Sequence, residues 1–140
     1  MEQTYCYSCH LHIHSTYSDG ADSVEEIIAA AQQAGVDIIC LTDHHTLAAK
    51  ELEGWYGNTL LLVGLETGVK ANHYLSFHHD EAVPHNDENP QAVIDEVKAQ
   101  GGFGFLAHPF EKGTPFFMEG RHYPWTQWDV KGYTGLELWN

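Results

Sequence analysis

Apolar and polar positions along the chain alternate between two periods. Residues 5–14 switch character at every step, which predicts a strand. Asp22 to Ala34 repeats its apolar positions at helical spacing, opened by the capping box Ser23-x-x-Glu26 and closed by Gly35. Val36 to Leu41 is a continuous apolar run of strand length, as in a buried parallel strand. Thr46 to about Trp55 carries a weaker helical pattern, and Thr59 to Leu65 is a second buried strand. Residues 72–78 alternate again and are placed to form a hairpin with it. Asn89-Pro90 predicts a helix start, with Asn as cap and Pro in the first turn, running to Gln100 before Gly101-Gly102. Phe103 to Ala107 is a third buried strand, 111–133 a long Gly-, Pro- and aromatic-rich loop, and Gly135 to Trp139 a last strand. The β-α-β-α order predicts an α/β fold in one domain over 1–140, with a parallel sheet and helical crossovers.

Each apolar strand ends in a candidate metal ligand. The endings are His12-x-His14, then Thr42-Asp43-His44-His45, then Glu66, then His108-Pro109, with Glu137 and Asn140 on the last strand. Parallel α/β folds carry their sites at the carboxyl ends of strands. His12 and His14 share a strand face with Cα atoms about 6.6 Å apart, close enough to share one metal at about 2.0–2.1 Å from each. His10 falls on the same face by this alternation. Alone, His-x-His equally suits a solvated strand, and Ser18-Asp19-Gly20 just after it shifts the balance to a metal. Asp19 sits in a turn, where it either folds back onto a metal or caps its own backbone. Asp43 is placed to orient a ligand rather than to bind. His45 is the less suited of its pair to be a ligand. A buried Glu66 needs a partner, and His73 is either a ligand or a hairpin surface residue.

Composition agrees with a metal site. There are 11 histidines against 6 Lys plus Arg, and a net charge of −14. That charge repels a phosphate backbone, so non-specific nucleic-acid binding is disfavoured. No apolar run reaches the roughly 18 residues of a membrane span, and Met1 to Thr4 do not open a secretory leader, so a cytoplasmic protein is expected. Cys6, Cys9 and Cys40 are an odd set read as ordinary buried strand cysteines.

His12-Ile-His14-Ser15-Thr-Tyr-Ser18-Asp19-Gly20, Leu41-Thr42-Asp43-His44, Gly64-Leu65-Glu66, His73 and Ala107-His108-Pro109 together resemble the successive motifs of the PHP (polymerase and histidinol phosphatase) family. The resemblance runs from about residue 9 to 140. It implies a distorted, TIM-like β/α barrel of seven strands, with up to three metals at the strand ends and hydrolysis of a phosphate ester. Zinc, manganese and iron are the metals it implies. By position it implies the ligands His12, His14, Asp19, His44, Glu66, His73 and His108, with Glu66 bridging two metals. The family's Asp two residues before the first motif histidine is His10 here, which alters the surroundings of the metals or adds a ligand. Its closing Asp-x-His motif is not found up to Asn140. A barrel typically needs about 250 residues, so the expectation is a shortened or incomplete barrel, whose ligand set suffices for two metals. An open barrel would also expose sheet edges, so self-association is expected.

Three functions follow from these residues. In the first, a metal-activated water attacks a small phosphorylated substrate, with catalytic roles for Glu66, Asp19 and His44. Lys112 and Arg121, in the long loop, would then contact the phosphate or be ordinary solvated residues. The loop aromatics Phe110, Phe116, Phe117, Tyr123, Trp125 and Trp128 would line a substrate wall, form an interface or, the favoured reading, fill the loop's core. In the second the site holds metal in a regulatory or structural module without turnover. In the third the water attacks an amide carbonyl.

Overall fold

The structure, a computed structural model, describes residues 3–116 and 118–138. Trp139, Asn140 and Phe117 lie outside the described residues. The strands are β1 (Cys9–Ile13), β2 (Ile38–Leu41), β3 (Gly54–Tyr56), β4 (Thr59–Val63), β5 (Leu65–Thr67), β6 (Tyr74–Phe77), β7 (Phe103–Leu106) and β8 (Gly135–Leu136). Two helices, α1 (Val24–Ala34) and α2 (Pro90–Ala99), join them. The strands form two four-stranded sheets in the orders β1-β2-β4-β3 and β5-β6-β7-β8. No closed barrel forms among the described residues.

Helix α1 follows its local signals. Ser23 Oγ accepts the Glu26 N–H at 3.3 Å, and Glu26 returns a carboxylate to the Ser23 N–H at 2.8 Å. Gly35, at φ 71°, ends it in the left-handed conformation that costs a glycine nothing. Helix α2 begins at Pro90 as expected, but Asn89 makes no side-chain cap.

The expected parallel sheet is found in part. β1, β2 and β4 are parallel, whereas β3 is antiparallel to β4. The expected helix over 46–55 is instead a short 3-10 turn, Lys50–Leu52, followed by β3. Gly54 and Gly57 disfavour a helix there, and Trp55-Tyr56 favours a strand that can pair with β4. The expected strand 59–65 divides at Gly64, where the chain leaves one sheet and enters the other. A Cβ on Gly64 would lie 2.4 Å from the Ser76 carbonyl oxygen, so only glycine permits this passage. The six residues between β5 and β6 are too few for a parallel crossover, so β6 reverses. It lies antiparallel to both neighbours, while β7 and β8 are parallel.

Each helix covers the outside of one sheet. Val24, Ile28 and Ala31 of α1 pack with Ile39, Leu41, Leu61 and Val63. Val93, Ile94 and Val97 of α2 pack with Leu65, Tyr74, Leu106 and Trp125. Between the sheets, Cys40 meets Leu75, Phe77 and Ala107. Cys40 is buried as expected, but Cys6 and Cys9 are exposed. No helix among the described residues is long and apolar enough to cross a membrane.

Leu61 is fully buried under α1. Leu61→Ala should therefore lower unfolding free energy by about 2–5 kcal/mol in urea titration. A loss below about 1 kcal/mol would contradict this packing.

Candidate metal centre

A β-bulge aims the first two histidines. Cys9 and His10 pair with Ile38 and Ile39, but Ile13 pairs with Leu41, so β1 carries one extra residue between the two points. Such an insertion breaks the alternation and swings the following side chains to the other face. Ile13 consequently packs toward α1, and its neighbours His12 and His14 both face inward. His10, opposite Ile39, is exposed and outside the imidazole cluster.

The next carboxylate comes from a turn fixed by Asp43. Its buried oxygens accept the Ser15 N–H at 2.8 Å, the Ser15 hydroxyl at 2.7 Å and the Ser18 hydroxyl at 2.6 Å. This network holds Asp19 out over the cluster, with Oδ1 3.2 Å from His14 Nδ1 and Oδ2 3.7 Å from His44 Nε2. Gly20 closes the turn, and a Cβ there would lie 2.1 Å from the His14 carbonyl oxygen.

Glu66, on β5 and 1% exposed, is the centre of the cluster. His12 Nε2 and His14 Nε2 each lie 3.1 Å from Oε2, and His44 Nδ1 lies 3.3 Å from it. His73 Nδ1 and His108 Nε2 lie 2.8 and 3.2 Å from Oε1. His44 arrives through a parallel bridge to Glu66, which ties the end of β2 to the second sheet. Burial works to raise the Glu66 pKa, but the surrounding imidazoles outweigh it and hold the carboxyl far below the usual range.

This donor set fits metal ions better than hydrogen bonds alone. A carboxylate oxygen offers two lone pairs, and Oε2 has three imidazole nitrogens around it. His12 Nε2 and His14 Nε2 are also only 2.9 Å apart. Two ligand atoms about 2.0–2.1 Å from one tetrahedral metal are about 3.3 Å apart, close to the spacings seen. His44 Nδ1, His73 Nε2 and His108 Nδ1 are buried without a hydrogen-bond partner. Four groups of convergent ligand atoms result: His12, His14 and Glu66; Glu66, His73 and His108; His14, Asp19 and His44; and His12, His108 and Glu137. Glu66 enters the first two through different oxygens.

Glu137 is the residue whose role spacing alone did not give. It was visible as a carboxylate at a strand end, but only the fold shows its contacts. Both oxygens lie 3.1 Å from His12 Nδ1, and one accepts the His108 N–H at 3.0 Å. Burial lowers the His12 pKa, and the bonds to Glu137 and Glu66 more than reverse that, raising it to about 9. Glu111 likewise had no assigned role. It accepts the Tyr123 N–H at 3.1 Å and lies 3.3 Å from His108 Nδ1, and the Tyr123 ring stacks on His73 at 4.5 Å.

Lys112 and Arg121 are exposed on the loop after His108, with no ion pair among the described residues. Of the loop aromatics, Trp125 is core and Tyr123 half-buried, whereas Phe110 and Trp128 stack on each other in the open and Phe116 is 96% exposed. Among the described residues, the expectation of a filled loop core holds for Trp125.

A family model described as the PHP domain matches residues 10–129. The chain belongs to the PHP domain family. A two-domain protein from Bacteroides vulgatus, containing a predicted PHP-like metal-dependent phosphoesterase, is 23% identical with a TM-score of 0.57; the match covers 74% of this chain and 35% of that one. A predicted metal-dependent phosphoesterase from Bifidobacterium adolescentis is 16% identical with a TM-score of 0.68, over 98% of this chain and 79% of that one. These two likenesses concern the fold. A 38-residue stretch is 47% identical to a phosphoribosyl 1,2-cyclic phosphate 1,2-diphosphodiesterase of Eggerthella lenta, covering 27% of this chain and 14% of that relative. The His and Glu clusters are the candidate metal sites.

A histidine must be deprotonated at the nitrogen it gives to a metal. His12 at about 9 is protonated at neutral pH in the metal-free protein. Zinc added to chelator-stripped protein near neutral pH should therefore release at least about one proton per chain. Calorimetry in buffers of different ionisation enthalpy reads this directly. Binding heats independent of the buffer would contradict it.

Proposed function

We propose that this chain is a metal-dependent phosphoesterase that hydrolyses a small phosphate mono- or diester with a metal-activated water. The observation that carries the proposal is Glu66, whose two oxygens each face a separate set of imidazoles. In this reading His12 and His14 would hold one metal and His73 and His108 a second, with Glu66 offering one oxygen to each. His44 and Asp19 hold a third or position the substrate. Zinc, manganese and iron all suit such nitrogen and oxygen donors. When bound, such metals lower the pKa of water toward about 7 and neutralise charge building on the phosphoryl oxygens.

The protein's own part is orientation and charge. Glu137 fixes the His12 ring from behind through Nδ1, leaving Nε2 to face Glu66. Asp43 fixes the turn that presents Asp19, whose side chain stays 68% exposed at the mouth of the site. The cleft above holds about 260 Å³ and is lined by Asp19, His44, His45, Gly68, Val69, His73 and Tyr123. Its size favours a small substrate, as does the phosphoribosyl cyclic phosphate named for the Eggerthella lenta relative. We further propose that the two sheets are part of the barrel described for the family. In support, Glu137 beyond β8 reaches His12 on β1 across the unpaired strand edges.

The test is hydrolysis of p-nitrophenyl phosphate and bis-p-nitrophenyl phosphate by protein loaded with zinc, manganese or iron. At least one ester should turn over. Losing even an outer partner of a metal ligand costs about 10–100-fold, so Glu66→Gln should lower kcat/KM by at least about 100-fold. Cleavage of an anilide without cleavage of either ester would transfer the site to amide hydrolysis. Bound metal without any turnover would favour a non-hydrolytic module.

A further inference from the structure

The imidazole cluster does not end at the ligand set. His45 follows His44 and lines the outer part of the same cleft. Its backbone has φ 56°, in the left-handed region. A non-glycine residue there is strained and needs surroundings that hold it. The His45 N–H donates to the Glu66 carbonyl at 3.2 Å, which fixes the conformation from inside. The ring is then directed between two others. Its centroid is 5.8 Å from His44 and 5.1 Å from His85.

His85 belongs to the segment between β6 and α2, and that segment is tied down on both sides of it. Val83 is buried in the core under α2. Asp87 accepts the Val69 N–H at 2.9 Å and the Lys70 N–H at 3.0 Å, and its carbonyl accepts from Asn72 Nδ2 at 2.7 Å. His85 is thus held beside His45 although both rings are exposed.

Two chemistries suit adjacent imidazoles: a cation site or an anion site. A cation site would need a third donor; of the two carboxylates that act electrostatically on His45, Glu66 is already enclosed by the imidazole cluster, which leaves Asp87. Both its oxygens are occupied by backbone N–H groups. No group of three ligands that includes His45 or His85 is found among the described residues. An anion needs only N–H donors, and each ring supplies one. The cleft lining contains no Lys or Arg, so His45 is its one side-chain nitrogen donor outside the proposed ligands.

We propose that His45 and His85 form an anion subsite for a second acidic group on the substrate, so that the chain prefers phosphate esters carrying a further carboxylate or phosphate. This rests on the phosphoesterase reading of the neighbouring metal centre. The subsite begins one residue along the chain from His44, so a compact substrate can occupy both.

The experiment compares phenyl phosphate with 4-carboxyphenyl phosphate, which share a reacting centre and differ by one anion. The variants are His45→Asn and His85→Asn, since asparagine tolerates the left-handed backbone at 45. In the unaltered protein the carboxylated ester should have about a tenfold lower KM. Either variant should raise that KM about tenfold more than the KM of phenyl phosphate, with metal content unchanged. No preference for the carboxylated ester, or equal weakening of both esters, would overturn the subsite. If neither ester is hydrolysed, the metal-loaded protein is titrated by calorimetry with phenylphosphonate and 4-carboxyphenylphosphonate. Tighter binding of the carboxylated compound, lost in both variants, would uphold the subsite while the hydrolytic reading fails. Equal binding of the two would overturn it.

Discussion

The molecule is arranged around one buried negative charge. Glu66 is almost wholly out of water, and an ionised carboxylate in that position costs several kcal/mol unless it is compensated. Five imidazoles within 3.3 Å are its compensation. They cannot all satisfy it as hydrogen-bond donors, because two oxygens do not have lone pairs for every ring in these directions. A carboxylate shared between metal ions, as proposed for Glu66, would resolve this by giving each oxygen a cation.

The backbone devices of the fold serve this centre. The bulge in β1 turns His12 and His14 inward together. Gly64 lets the chain pass from one sheet to the other immediately before Glu66, so the carboxylate falls where the sheets meet. The reversal of β6 brings its approach, with His73, back to Glu66. Outside these candidate ligands lies a layer of carboxylates, with Glu137 behind His12, Glu111 beside His108 and Asp43 under the Asp19 turn. Of these, Glu137 fixes the orientation and tautomer of its ring, that of His12.

What could be read from the residues alone was what local signals determine. The capping box at Ser23 and Glu26 and the glycine at 35 define α1 through contacts within a few residues. The strand endings showed most of the candidate ligands, because burial of the strands forces their polar terminal residues to converge. What stayed hidden depended on distant pairing. β3 is the exception: it pairs with β4 across the two-residue turn Gly57-Asn58, a local signal that the weak helical pattern over 46–55 masked. The bulge reverses the face of His10 relative to His12, which strict alternation could not foresee. Glu137 acts on a histidine 125 positions away. Its strand-end position was legible, but its partner required the sheet order.

The most direct test of the account is the metal content of this chain, purified without added metal, dialysed and analysed by elemental mass spectrometry. The account predicts about two or more transition-metal ions per chain, the number a bridging carboxylate serves. Chain that circular dichroism shows to be folded and that still holds no metal, even after incubation with zinc, manganese or iron, would contradict it.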